Sequence, residues 1–320
     1  MIRGLVVGKF YPPHRGHKLL IDTAKSQVDH LDVMLCVRPE QSIPGSLRAA
    51  WLREIHPEAT VIEVDDFGDD DNSERWAAFT KKTLGYVPDL VFTSEAYGDT
   101  YARLLGARHV LVDQERLRFP ISATRIREDP LSAWEHLEPC VRGHFAMRVR
   151  VVGAESTGKT TLAQDLAGQF HTKWVPEYGR EYTEIHKGGI SEGDWTSEEF
   201  LQIALEQLLR EDAAARDCNR VLICDTDPLA TCLWHERYLG SWSQAVEKVA
   251  KGRSYALTLL TGDEIPFVQD GYRDGEHIRH TMTKRFEEVL TRLDEPFHWI
   301  RGSRESRLAE AATHILGRLR

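Results

Sequence analysis

The run Gly153–Ala154–Glu155–Ser156–Thr157–Gly158–Lys159–Thr160 constrains the fold more than any other stretch of this 320-residue chain. It fits GxxxxGK[ST] at every position. Its flanks fit as well: Met147–Val152 reads as a buried strand and Thr161–Phe170 as a helix. A strand, a glycine-rich turn and a helix in that order make a phosphate cradle. Glycines allow the backbone to wrap an anion, successive N–H groups point inward, and the helix N-terminus adds positive potential. The pattern assigns Gly153, Glu155, Ser156, Thr157, Gly158, Lys159, Thr160 and Thr161 to an ATP site. Lys159 is expected at the β and γ phosphates and the Thr160 hydroxyl at Mg²⁺.

A phosphate loop alone does not separate a kinase from a switch or a motor. The acidic run Asp225–Thr226–Asp227 follows the apolar run Val221–Cys224, so its carboxylates stand where α/β sheets place their ligands. Asp225 is the candidate for holding the metal or deprotonating an acceptor hydroxyl. Asp227 is a candidate substrate contact, although Pro228 can turn it away. Glu177, Arg180 and Tyr182 combine polar and aromatic groups suited to a sugar and a flat ring; surface packing is the alternative. The segment Gln269–Arg273, with Arg279 beyond it, reads as a phosphate lid in which Arg273 meets the nucleotide.

The N-terminal half carries a second phosphate signal. Ile2–Val7 is a short apolar run, Lys9–Gly16 a loop, and the stretch from His17 an amphipathic helix. Within Gly8–Lys9–Phe10–Tyr11–Pro12–Pro13–His14–Arg15–Gly16–His17, the two histidines stand three apart and face one edge of the loop. Imidazoles there can donate to phosphate oxygens as charge grows. A metal pair is the alternative, but no third ligand is placed to complete it. A second patch, Ile121–Arg127, offers the hydroxyls of Ser122 and Thr124 and the planar cation of Arg127; a plain helix cap is its bland reading.

Apolar runs at Leu31–Val37, Thr60–Val64, Leu90–Thr93, His109–Val112, Val221–Cys224 and Ala256–Leu260 alternate with helical stretches. That order predicts two α/β domains with mostly parallel sheets, Rossmann-like at 1–144 and of the P-loop kinase type at 145–320. Pro139 and Gly143 interrupt the pattern at the expected junction. The formal charge of −9 speaks against a broad nucleic-acid surface, but an anionic substrate needs only local donors. Five cysteines without a CxxC pair argue against a disulfide scaffold, and the short apolar N-terminus against a signal peptide. A cytoplasmic protein is expected.

Together these motifs resemble a known family. Gly8–His17 resembles the GxFxPxHxGH motif of nucleotidylyltransferases, and Ile121–Arg127 their ISxTxxR partner. That domain, followed by a mid-chain P-loop, resembles the bifunctional NadR family over almost the whole chain. The resemblance implies that the C-terminal domain phosphorylates nicotinamide riboside with ATP, and that the N-terminal domain joins the mononucleotide NMN to ATP, giving NAD and pyrophosphate. It implies His14, His17, Gly8, Lys9, Phe10, Ser122, Thr124 and Arg127 at one ATP, and Lys159, Thr160 and Asp225 at the other. Glu177, Arg180 and Tyr182 would lie near the riboside. The lid keeps the family's DGxR form at Asp270–Arg273; Phe267, Gln269 and Ala256 depart from residues frequent in the family. The resemblance implies a functional link to a riboside transporter, leaves room for a homo-oligomer and, with Gly8 so early, implies no direct DNA binding. A phosphopantetheine adenylyltransferase joined to a dephospho-coenzyme A kinase fits the same domain order, and a non-enzymatic ATP-dependent sensor is the reading from a different class.

Overall fold

The computed structural model describes residues 1–69, 72–187, 195–268 and 276–319. The chain divides into two compact units, Met1–Arg142 and Gly143–Arg320. Each is built on its own five-stranded sheet.

In the first unit the strands are β1 (Arg3–Gly8), β2 (His30–Val37), β3 (Thr60–Asp65), β4 (Leu90–Thr93) and β5 (Arg108–Leu111). They pair in the order β3-β2-β1-β4-β5, all parallel. Parallel strands need crossovers that cover the sheet, so the central strands are apolar on both faces. Leu5 and Val91 pack against Trp76, Ala77 and Tyr101 on one face. Val6, Val33 and Leu35 pack against Leu20, Ile21 and Leu52 on the other. The stretch expected to break at Pro139 is instead a helix, Pro139–Phe145. Proline at the first helical position lacks only an N–H that would have no helical partner, so it starts this helix rather than interrupting one.

In the second unit β6 (Met147–Val152), β7 (Lys173–Val175), β8 (Val221–Asp225), β9 (Leu257–Thr261) and β10 (His298–Ile300) pair in the order β10-β9-β6-β8-β7. These pairs are also parallel. The central strand β6 reads Met-Arg-Val-Arg-Val-Val, yet every residue in it is buried. Its arginines are accommodated by ion pairs: Arg148 with Asp212 at 2.9 Å, and Arg150 with Asp227 at 2.5 Å and Glu295 at 3.0 Å. Buried guanidinium groups need such partners to offset desolvation. A long helix, Ser197–Asp217, is started by a reciprocal cap between Thr196 and Glu199. No described helix is long and apolar enough to cross a membrane.

Candidate active sites

β1 and β4 are hydrogen-bonded neighbours, although two strands separate them in sequence. The strand order therefore reverses between them, and loops leaving their C-terminal ends flank the crevice where open α/β sheets take ligands. The loop after β1 carries the histidines. His14 caps the helix Arg15–Lys25, its Nδ1 accepting the Gly16 N–H at 3.1 Å. With Nδ1 as acceptor, a neutral His14 carries its proton on Nε2. The His14 and His17 rings stack at 3.8 Å and 28°.

Burial pushes His14 down to about 2, and the charges of His17 and Arg116 act in the same direction. Burial and Arg116 push His17 down to about 4, against a bond to the Pro12 carbonyl. Both imidazoles are thus neutral at physiological pH, and each is a single-proton donor. Among the described residues, the buried Nδ1 of His17 has no hydrogen-bond partner.

The structure brings the second motif to this loop. Arg127 donates to the Tyr11 carbonyl at 2.5 Å and to Thr124 Oγ1 at 3.1 Å, with its guanidinium 4.4 Å over the Tyr11 ring. Ser122 caps the helix Ala123–Glu128, accepting the Arg125 N–H at 3.2 Å. Lys9 lies with its ammonium 3.7 Å from Asp66.

Phe10 is a correction. Expected at the nucleotide, it is 2% exposed and belongs to the apolar core, with its ring edge against His17 at 5.0 Å. A Cβ on Gly8 would come within 3.2 Å of that ring, so Gly8 and Phe10 together form the floor beneath the histidines. Sequence reasoning missed Arg48. It is fully buried and donates to the carbonyls of Lys9 and Ile43, fixing the start of the loop. Nothing in its helical neighbourhood marks it out in sequence.

In the second unit the Gly153–Thr160 turn joins β6 to the helix Lys159–Gln169. Gly153 has φ 149°, and a Cβ there would lie 2.4 Å from Thr261 Oγ1, so only glycine fits. Ser156 and Gly158 are also left-handed, at φ 56° and 80°. The Lys159 ammonium folds onto the Ala154 carbonyl at 2.8 Å. Thr157, expected to contact ATP, turns its side chain inward. Its hydroxyl bonds the Ala154 carbonyl and Thr261 Oγ1, leaving its backbone N–H as the group available to the cradle. Arg307, from the last helix, ties the turn down through the Thr157 carbonyl at 2.6 Å.

Asp225 ends β8 opposite this turn, its Oδ2 accepting the Thr160 hydroxyl at 2.5 Å. Its Oδ1 is buried without a hydrogen-bond partner among the described residues. Burial, then the nearby Glu177, pushes Asp225 up to about 6, against Lys159. A hydroxyl touching a buried carboxylate that retains an unpartnered oxygen fits a hard divalent cation such as Mg²⁺, which takes few protein oxygens and keeps its waters.

Asp227 is a second correction. Thr226 stands at φ 78°, and across that left-handed residue the chain sends the two aspartates in different directions. Asp227 is 1% exposed, accepts the Ala230 N–H at 2.9 Å as a helix cap and pairs with Arg150. Its carboxylate serves the core, not a substrate.

Beside the turn, Glu177, Gly179, Arg180, Gln207 and Thr226 line the cleft, together with Trp195, Phe200, Trp234 and Tyr238. Trp195 stacks obliquely on Phe200 at 4.9 Å and on Tyr238 at 5.7 Å. None of these four aromatics was singled out from sequence. Their spacing is not a motif, and only folding gathers them. Tyr182 is buried behind this wall, its ring 6.1 Å from Trp195 and its hydroxyl on Glu199, so it supports the cleft without lining it. Arg279, expected at the lid, is buried and holds the carbonyls of Asp263 and Ile265. Arg273 and the rest of the expected Gln269–Arg273 lid lie outside the described residues.

A family model described as an AAA domain matches residues 148–307. The chain is 31% identical to the trifunctional NAD biosynthesis/regulator protein NadR of Escherichia coli, covering 99% of this chain and 84% of that protein. It is 32% identical to the protein of the same name from Salmonella typhimurium, covering 84% of this chain and 71% of that one. A crystal structure of a NadR protein in complex with NAD and AMP-PNP superposes with a TM-score of 0.76 at 22% identity, over 99% of this chain and 96% of the other. A NadR structure in complex with NR also gives 0.76, at 21% identity, over 98% and 95% of the two chains.

Proposed function

This chain belongs to the NadR family, and from that membership we propose that its two units run consecutive ATP-dependent steps of NAD salvage. The unit Gly143–Arg320 phosphorylates nicotinamide riboside to NMN. The unit Met1–Arg142 joins NMN to ATP, giving NAD and pyrophosphate. The observation that carries the reading is one chain with a complete phosphate cradle facing Asp225 and, separately, a loop that carries two stacked neutral histidines and is bonded by Arg127 at Tyr11.

In the kinase unit, backbone N–H groups of the turn receive the β and γ phosphates of ATP, and Lys159 exchanges the Ala154 carbonyl for a phosphate oxygen. Thr160 and Asp225 are the pair that would hold Mg²⁺, which when bound neutralises charge on the phosphates. Glu177 and Arg180 line the side of the cleft suited to ribose hydroxyls and the arriving phosphate. The cationic nicotinamide ring fits the wall of Trp195, Phe200 and Tyr238, because aromatic faces attract a flat cation. Asp225, raised to about 6, is placed to take the proton of the attacking 5′-hydroxyl. Arg273 is assigned to the lid by resemblance.

In the adenylyltransferase unit an NMN phosphate oxygen attacks the α-phosphorus of ATP in line, and pyrophosphate leaves without a covalent enzyme intermediate. His14 donates its Nε2–H into the triphosphate, and His17 does so once its N–H leaves the Pro12 carbonyl, with Ser122, Thr124 and Arg127 on the other side. Neutral imidazoles place donors there without releasing a proton. On this reading the enzyme works in the cytoplasm on riboside delivered by a membrane transporter.

The test is product analysis. Purified protein with Mg-ATP and riboside is expected to yield NMN and then NAD; with supplied NMN it yields NAD and pyrophosphate directly. ATP binding without either product would sink the proposal.

A further inference from the structure

The crevice of the first unit has a neighbouring cation with no role in the mechanism above. Arg116 lies in the turn between β5 and Ser122, on a segment built with unusual care. Its N–H donates to the Asp113 carbonyl at 2.9 Å. The Asp113 carboxylate accepts the N–H groups of Leu117 at 3.0 Å and Arg118 at 3.3 Å. Asp113 and Arg116 both adopt left-handed φ, 47° and 53°, without being glycine. Such backbone strain persists only where surrounding bonds impose it, and it concentrates at ligand sites.

The side chain points back to the strand-order reversal. Arg116 Nη2 lies 3.8 Å from Glu95 Oε1, and Glu95 is on the loop leaving β4. β4 pairs with β1, whose own loop carries His14 and His17, so Arg116 stands over the mouth shared by the two loops. Its charge reaches both imidazoles. The pair with Glu95 is loose: the side chains are 48% and 57% exposed, and 3.8 Å is longer than a hydrogen bond. A polyphosphate, with several negative oxygens and the geometry for two parallel N–H bonds, outcompetes a single half-solvated carboxylate for guanidinium.

We propose that Arg116 is a further phosphate-binding residue of the adenylyl-transfer site, resting on Glu95 and passing to the polyphosphate of ATP when the nucleotide enters. Glu95 then acts as a competitor that keeps the arginine near the mouth without holding it tightly. The inference rests on the adenylyltransferase reading of this unit, and the two fail differently. If that reading is wrong, the parent protein makes no NAD from NMN; if only the role of Arg116 is wrong, the parent is active and the variants below match it.

The experiment is steady-state formation of NAD from NMN and Mg-ATP by the full chain, with riboside phosphorylation measured on the same preparations. Arg116→Ala is expected to lose about 10²-fold in kcat/KM for ATP, the scale of one oriented charge contact. Arg116→Lys should keep part of the rate, since it retains charge but loses the two-pronged geometry. Glu95→Gln removes the competitor and should lower the KM for ATP with kcat little changed, an effect a merely structural ion pair would not produce. Riboside phosphorylation should be unaltered in all three. The idea is overturned by an Arg116→Ala protein within twofold of the parent in kcat and KM. It is equally overturned by a Glu95→Gln protein that shares the Arg116→Ala loss. Should Arg116→Ala fail to fold, Glu95→Gln decides alone: a lowered KM supports the role and an unchanged or raised KM rejects it.

Discussion

Asp225 and Asp227 show how much one residue between two carboxylates decides. Thr226, left-handed at φ 78°, lets Asp225 face the phosphate turn while Asp227 caps a helix and neutralises Arg150. The position of Asp225 was legible from an apolar run ending in an acid. The fate of Asp227 was not, because its partner Arg150 lies 77 residues away on another strand. Burial holds the folded Asp225 at about 6, against an ordinary 3.8. The folded state therefore keeps a proton that the unfolded chain releases between those values, and stability falls as pH rises through that window. Above about 6 the ionised, buried carboxylate is a net cost in the metal-free protein. Asp225→Asn, melted in metal-free buffer, is expected to be more stable than the parent at pH 8, with the difference shrinking toward pH 4. Its riboside phosphorylation should drop by about 10²-fold or more. A melting difference that does not change with pH would contradict the assigned burial cost.

Among the elements, the buried strands were the most legible. β4 and β6 begin and end where their apolar runs do, and β2 differs by one residue. Parallel strands covered on both faces announce themselves as continuous apolar runs. The edge strand β7 was missed, because Lys173–Val175 opens on an exposed lysine and so shows no apolar run. The Pro139–Phe145 helix was missed for a different reason: proline and glycine read as breaks unless the proline falls at the first helical position. The aromatic wall is likewise a product of folding. Trp195 precedes the helix that carries Phe200, while Trp234 and Tyr238 come from the helix Pro228–Leu239. If this wall stacks on the nicotinamide ring, Trp195→Ala should raise the KM for riboside by about tenfold, as expected for roughly 1–2 kcal/mol of stacking and cation–π attraction. The rate with supplied NMN should be unchanged. A riboside KM equal to the parent's would remove Trp195 from the substrate site.

At the scale of the whole molecule, the chain repeats one physical device in two dialects. On the proposed reading, each unit ends a central parallel strand in a turn whose backbone donors and fixed side chains receive a phosphate. One turn uses glycines and Lys159, the other two stacked neutral histidines and Arg127. Both turns were legible as strand–loop–helix junctions because their glycines, prolines and histidines stand at a fixed spacing between an apolar run and a helix. Their supports, Arg307 under one turn and Arg48 under the other, were not, since a buried arginine bonded to carbonyls leaves no pattern. The division of labour is tested most directly by paired substitutions in the full chain, each assayed for both reactions. Lys159→Ala is expected to lose riboside phosphorylation by about 10²-fold or more while still making NAD from supplied NMN, and His17→Ala is expected to show the reverse. Loss of both reactions to the same extent in either folded variant would contradict two separate phosphate sites.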